Sequence, residues 1–246
     1  MKCVILAAGY ATRLYPLTEN FPKPLLKVGN KTILDHLTDD IESSGTVDEY
    51  IVISNNKFAA HFEEWAGSKP YKITVVNDGT NTNETRLGAV RDLQFAAERL
   101  HIDSDMLVIA GDNLLNFSLS KFISYAVKKQ ASCVMRYFEP ERQRLLKSGV
   151  LTVSRDDLVT EMTEKSLEPK TNWCCPPFYY YTKRDAKLIP EAISSGCGVD
   201  APGSFIAWLC RKSPVYAMEM PGKRYDIGNL ESYKAVQKEY KGITVC

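Results

Sequence analysis

MKCVILAAGYATRLYPLTENFPKPLLKVGN, residues 1–30, is the stretch from which the fold can be read. Residues 3–6 are an apolar run of the kind a buried parallel strand requires. The run passes from Leu6 straight into Ala7, Ala8 and Gly9, which have little or no side chain. Small residues admit a bulky ligand close to the backbone, and successive N–H groups there can form an anion-binding concavity. Arg13 follows, and Lys23 stands between Pro22 and Pro24. The prolines fix their own φ and restrict the residues before them, so Lys23 is held stiffly for a surface lysine. A backbone nest, a guanidinium and an ammonium in one loop make an apparatus for a polyphosphate. The plain alternative is a tight strand-to-helix turn with solvated charges. Neither the G-x-G-x-x-G dinucleotide pattern nor the Walker A G-K-[ST] pattern is present.

The remaining composition bounds the answer. A chain of 246 residues with 44% hydrophobic content is long enough for one α/β domain with a sizeable core. A net charge of +1 argues against broad electrostatic capture of nucleic acid. No apolar run is long enough for a transmembrane helix, and no leader pattern precedes the first strand, so no membrane association is expected. The cysteines, Cys3, Cys133, Cys174, Cys175, Cys197, Cys210 and Cys246, show neither a C-x-x-C pair nor zinc spacing. They read as small core residues of a reducing, cytoplasmic compartment.

Outward from the opening loop, helices and strands alternate. Residues 32–44 read as an amphipathic helix, 50–54 as a strand, 58–65 as a helix and 73–76 as a strand. After the polar loop 77–85, residues 87–100 read as a helix, 106–110 as a strand, 119–128 as a helix and 133–138 as a strand. This rhythm predicts an open, mixed, mostly parallel Rossmann-like sheet flanked by helices, with ligands at the strands' carboxyl ends. The second half changes character. Residues 149–153 and 158–162 read as an antiparallel pair, and 174–181 as an aromatic stretch interrupted by Pro176 and Pro177. Residues 183–195 read as a helix broken at Pro190, 204–210 as a short helix, 215–220 as a strand and 230–240 as a closing helix. The expectation is one domain over residues 1–246, with a nucleotide-binding half (1–140) and a smaller acceptor-binding half (141–246).

Asp112 follows an apolar strand and Gly111, which puts a carboxylate at the sheet rim; a turn aspartate is the plain alternative. Asp226 lies in KRYDIGN, ahead of a helix that Asn229 can cap. Two hard carboxylates beside phosphate oxygens suit magnesium, which uses one or two carboxylates with phosphates. Glu164 and Lys165 follow a strand and could face a second, phosphorylated substrate, although such neighbours are common on surfaces. His36, His61 and His101 have no metal spacing and read as structural. Trp65 and Trp208 read as packing residues, while Trp173 is placed in a loop that could line an acceptor pocket.

The motif LAAGYATRLYPLTENFPKPLLKVGNK resembles the signature of the sugar-1-phosphate nucleotidyltransferases, the sugar-nucleotide pyrophosphorylase family, which has a GT-A/Rossmann-like fold. The matches are Leu6, Ala7, Gly9, Thr12, Arg13, Leu14, Pro16 and Thr18, then Pro22, Lys23, Pro24, Leu25 and Leu26. Gly111-Asp112-Asn113, Glu164-Lys165 and Tyr225-Asp226-Ile227-Gly228 follow in the family's order. The resemblance implies transfer of a nucleoside monophosphate from an NTP to a sugar-1-phosphate, with release of pyrophosphate. It assigns Arg13 to the β,γ-phosphates and Lys23 to the α-phosphate region. Asp112 and Asp226 would hold Mg2+, Lys165 the sugar phosphate and Glu164 sugar hydroxyls. Leu6, Ala7, Ala8, Gly9, Asp78, Arg86 and Gly88 fall on the nucleotide side, Gly88 letting the base pack against backbone. Relatives of this kind often form dimers or tetramers, so a homo-oligomer is an expectation of the resemblance.

The sequence also departs from the family pattern. Ala11 replaces a glycine and fits only with a negative φ. Ser166 replaces the proline after Glu-Lys, and residues 174–179 read CCPPFY where a glycine-aromatic stretch is usual. The base-facing segment DGTNTNETRLGA, residues 78–89, does not name its base. Two other functions stay open: a cytidylyltransferase acting on phosphocholine or a small phosphonate, and a non-catalytic nucleotide-binding regulatory subunit. A dehydrogenase is weaker without the glycine fingerprint.

Overall fold

A computed structural model describes residues 1–245; Cys246 lies outside the described residues. The chain forms an α/β fold with a mixed open sheet flanked by helices. It gathers into two compact units built from interleaved segments. The first comprises Met1–Arg86, Ala110–Lys121 and Pro221–Cys246; the second comprises Leu87–Ile109 and Phe122–Met220. The C-terminal segment that carries Asp226 therefore belongs with the N-terminal loop, and no single cut near residue 140 separates the units.

In the first unit, strand Lys2–Leu6 pairs parallel with Glu49–Ser54, which pairs parallel with Ile73–Asn77. Val4, Ile5, Ile51, Val52 and Ile53 are buried, as expected for near-continuous apolar runs covered on both faces. Helix Ile33–Ser43 turns Leu34, Leu37 and Ile41 inward. It begins with a capping box, in which Thr32 Oγ1 accepts from Asp35 N at 3.0 Å and Asp35 Oδ2 accepts from Thr32 N at 3.0 Å. These bonds satisfy two backbone donors that the first helical turn leaves open. A second cluster joins Leu14, Leu26 and Val28 of the opening loop to Leu114, Ile227 and Val236.

The second unit is largely antiparallel. Phe178–Tyr181 pairs with Met106–Ala110 and with Ser132–Phe138, and Val159–Glu164 pairs with Gly149–Val153. Val215–Glu219 adds a parallel partner to Ser132–Phe138. The helix expected over 183–195 is two short helices, Lys183–Ala186 and Ile189–Ser194. The break precedes Pro190, because proline is tolerated in a helix's first turn, where its missing N–H costs no bond. Trp173 also departs from expectation: it begins strand Trp173–Cys175 instead of lying in a loop. Cys3, Cys133, Cys174 and Cys175 are buried free thiols, while Cys197 and Cys210 are half-buried. Among the described residues, no helix is long and apolar enough to cross a membrane.

Candidate functional site

The opening strand ends at Leu6, and the chain turns over the sheet rim. Ala7 N still donates to Ile53 O at 2.9 Å, so the concavity starts one residue later than expected. The next amides, those of Ala8, Gly9 and Tyr10, donate to no acceptor among the described residues. Asn55, fully buried just past the second parallel strand, donates its amide to Ala8 O at 2.9 Å and pins this loop. Asn55 is a positioning residue that sequence reading missed. Its only signal in the sequence is an amide side chain directly after the apolar run 50–54.

Ala11 has φ 46° and ψ 41°, so alanine occupies the left-handed conformation after all. The expectation of a negative φ is overturned. Ala11 O accepts from Leu14 N at 2.9 Å and from Thr18 Oγ1 at 2.8 Å, and these bonds hold the turn against its strain. The left-handed region costs an L-residue roughly 1–2 kcal/mol, which glycine avoids at some entropic cost. An Ala11→Gly variant is therefore expected to gain up to about 1 kcal/mol of stability. Thermal unfolding should show a rise of about 2–4 °C. An unchanged or lower midpoint would show that the strain is already relieved.

Lys23 stands at the start of the short 3-10 turn Lys23–Leu25, between its two prolines. Its Nζ lies 2.8 Å from Asp112 Oδ2, and its side chain is only 8% exposed, against 40% for Asp112. Gly111 permits this approach: it donates to Leu6 O at 3.1 Å, and a Cβ there would stand 3.0 Å from Ile5 Cγ2 and 3.5 Å from Pro24. Asn113 Nδ2 donates to Asp112 Oδ1 at 2.8 Å. Burial pushes the Asp112 carboxyl up, but the Lys23 ammonium and the Arg224 guanidinium outweigh it, leaving the carboxyl below its ordinary range. Arg13 is exposed in the turn Thr12–Leu14, with no ion pair among the described residues.

Asp226, expected between a strand and a helix, ends strand Arg224–Asp226, which pairs antiparallel with Asn113–Leu115. In this register Asp226 faces Asn113, the neighbour of Asp112. Alternation turns Ile227 into the core and leaves Asp226 exposed. Asn229 caps helix Leu230–Glu239, accepting from Ser232 N at 2.8 Å, so Asp226 is not used as a cap. Arg224, which sequence reading missed, donates from Nη1 to Asn113 Oδ1 at 2.6 Å and lies 3.9 Å from Asp226 Oδ1.

The expected base-facing residues serve the chain's own loops. Asp78 Oδ1 accepts from Thr80 N at 2.7 Å and Thr80 Oγ1 at 2.8 Å, while its buried Oδ2 has no hydrogen-bond partner among the described residues. Arg86 donates to Asn83 O at 2.9 Å. Gly88 has φ 91°, and a Cβ there would stand 2.6 Å from Val199 O. Its glycine character is thus required by packing within the second unit.

In that unit the Glu164 carboxyl is wedged between Gly149 and Gly203, where a Cβ on either would collide with it. It borders a cavity of about 390 Å³, also lined by Cys197, Ser204, Trp208 and Arg211. Trp173 does not line this cavity; its ring packs edge-on to Phe138 at 5.6 Å and lies 4.9 Å from the Arg136 guanidinium. Trp208, read from sequence as packing, is the tryptophan at the cavity. Lys165 has a left-handed φ of 49°, and its ammonium is 3.8 Å from Asp200. A proline at 166 would disfavour this conformation in the preceding residue, so Ser166 goes with it.

Burial pushes the Glu164 carboxyl from 4.5 up to about 7, which the nearby Lys165 only partly opposes. The folded state therefore holds this proton over a range where the unfolded chain releases it. Stability falls as pH rises between those values and is level above them. The fall is roughly 3 kcal/mol at full shift. Glu164→Gln is expected to remove it, as read by denaturant unfolding at pH 5 and pH 8. Equal slopes with pH in both proteins would contradict this.

The sequence model of the nucleotidyl transferase family matches residues 2–242. The chain belongs to this family. Among relatives of this nucleotidyl transferase, the UTP–glucose-1-phosphate uridylyltransferase AglF of Haloferax volcanii is 29% identical over 93% of the chain and 91% of its own length. The bifunctional protein GlmU of Methanocaldococcus jannaschii is 27% identical over 93% of the chain, which spans 51% of that longer protein. A solved UDP-glucose pyrophosphorylase in complex with UDP-glucose superposes with a TM-score of 0.81 at 19% identity, covering 96% of both chains. That likeness shows the fold.

Proposed function

We propose that the chain transfers a nucleoside monophosphate from an NTP to a sugar-1-phosphate, giving an NDP-sugar and pyrophosphate. The observation that carries this reading is the buried Lys23 ammonium, 2.8 Å from Asp112, in a loop whose amides at Ala8, Gly9 and Tyr10 are open. Family membership and the uridylyltransferase relative, matched over nearly its whole length, support it.

In this reading an acceptor phosphate oxygen attacks the α-phosphorus, and the bond to the β-bridging oxygen breaks. The acceptor is already ionised, so the protein need not supply a base. Its task is to position and to stabilise charge on the bridging and leaving oxygens. The open amides and Arg13 hold the β,γ-phosphates, and Lys23 serves the α-phosphate. Asp78, Arg86 and Gly88 belong to the nucleotide side. Lys165 takes the acceptor phosphate, and Glu164, facing its cavity with no hydrogen-bond partner among the described residues, takes hydroxyls.

Asp112 and Asp226 fit a magnesium ion. They are hard oxygen donors, Asp226 ending strand Arg224–Asp226 and Asp112 immediately preceding its paired strand Asn113–Leu115, and among the described residues no cluster of three or more metal-ligating side chains exists. Such a set suits an ion that completes its coordination with phosphates and water. Bound there, magnesium would neutralise charge on the triphosphate. Free buried thiols support a reducing, cytoplasmic setting.

The test is a matrix of NTPs against acceptors, read by pyrophosphate release. Turnover that requires one NTP and a hexose-1-phosphate supports the proposal. Turnover with only phosphocholine or an aminoalkylphosphonate replaces the acceptor class, and silence with every pair favours a non-catalytic nucleotide-binding subunit.

A further inference from the structure

We infer that Lys23 and Arg224 are built-in counter-ions of the two carboxylates, so that a divalent cation enters with the triphosphate and not ahead of it. The inference rests on the proposed nucleotidyl transfer and adds Arg224 as a positioning residue. Asp112 immediately precedes the strand that pairs with the one Asp226 ends, and two such carboxylates repel when bare, yet each here faces a basic side chain. Lys23 Nζ is 2.8 Å from Asp112 Oδ2, and Arg224 Nη1 is 3.9 Å from Asp226 Oδ1. Arg224 also donates to Asn113 Oδ1 at 2.6 Å, and Asn113 donates to Asp112 Oδ1 at 2.8 Å. Both oxygens of Asp112 are therefore engaged, one by an ammonium and one by an amide that Arg224 orients.

The four charged groups sum to zero. A divalent ion arriving alone meets a neutral cluster instead of a doubly negative one. To ligate Asp112 through Oδ2 it must also part an ion pair whose lysine side chain is 8% exposed and, among the described residues, has no other hydrogen-bond or ion-pair partner. Leaving one member of such a pair uncompensated is unfavourable. A triphosphate removes the obstacle. Its oxygens offer Lys23 a new anionic partner in the same loop, which releases Asp112 for the metal. Because linkage is reciprocal, the metal must then tighten the triphosphate by the same factor.

The test is Mn2+ binding to the nucleotide-free full chain, read by loss of the free-ion signal in electron paramagnetic resonance. Wild type is expected to bind Mn2+ weakly. Lys23→Met is expected to tighten binding tenfold or more, and Arg224→Met severalfold. Lys23→Arg, which keeps the charge, should stay near wild type. In Lys23→Met/Asp112→Asn the gain should vanish, which locates it at Asp112. Circular dichroism checks each variant's fold; should Lys23→Met not fold, Arg224→Met and the wild-type affinity still decide. Wild type binding Mn2+ as tightly as the charge-removal variants overturns the inference, as does no binding in any variant. The nucleotidyl-transfer proposal is judged separately, by pyrophosphate release from wild type.

Discussion

Replacing Asp112 with asparagine is expected to slow the proposed nucleotidyl transfer by about 10³-fold or more, because the metal-binding role proposed for this carboxylate is worth several kcal/mol of charge stabilisation. The substitution preserves size, so helix and strand content should be unchanged. It also removes the counter-ion of a lysine that is 8% exposed. Stability at neutral pH should fall by about 1–3 kcal/mol as that ammonium loses its charged partner. The sign with pH follows from the carboxyl's position below its ordinary value of 3.8. A depressed carboxyl stabilises the fold above its unfolded pKa and loses that contribution as pH falls through its folded one. The gap between wild type and Asp112→Asn should therefore narrow below about pH 4. Pyrophosphate release and melting curves at pH 7 and pH 3 measure both effects. Wild-type turnover in the variant would remove Asp112 from the chemistry.

Gly88→Ala is expected to be the most destabilising single methyl addition at a glycine in the second unit. At φ 91° an L-residue is strained, and the new Cβ would stand 2.6 Å from Val199 O, 2.9 Å from its carbonyl carbon and 3.0 Å from Asp200 Cα. These are backbone atoms and cannot swing aside. They are also tied to the same helix start, because Ala89 N donates to Asp200 O at 3.3 Å and Val90 N to Val199 O at 3.0 Å. Any retreat of residues 199–200 weakens the bonds that cap helix Ala89–Arg99. Strain and overpacking together imply a loss of about 3 kcal/mol or more, or roughly 10 °C in melting temperature. Denaturant unfolding gives the value. A loss under about 1 kcal/mol would show that the 199–200 segment yields more easily than a packed backbone should.

Several elements of the fold were legible because their signals are local. The run at residues 3–6 and the apolar stripe of Leu34, Leu37 and Ile41 report burial through periods set by backbone geometry alone. Asn229 likewise reads as a cap before any coordinates are seen. Other features were not legible. The short strands Asn113–Leu115 and Arg224–Asp226 are three residues each and lie more than a hundred positions apart, so neither has a period to detect. The exchange of Trp173 for Trp208 at the Glu164 cavity has the same cause, since both are aromatic residues in mixed contexts and only packing decides which one lines a space. Ala11 erred differently: intrinsic preference argued for a negative φ, and the hydrogen bonds from Leu14 and Thr18 overrode it.

The sequence by itself determined the chemical character of residues 6–26 on which the proposed phosphate binding rests. Small residues, a guanidinium and a proline-framed lysine bring their chemistry with them wherever the chain goes. It also determined the α/β class, through hydrophobic periods that depend only on neighbouring residues. Tertiary structure alone decided which charges meet. Lys23 finds Asp112 across 89 positions, and Arg224 reaches Asn113 across 111. Such pairings depend on how strands register and on where Gly111 lets one backbone approach another, and spacing along the chain does not encode these distances.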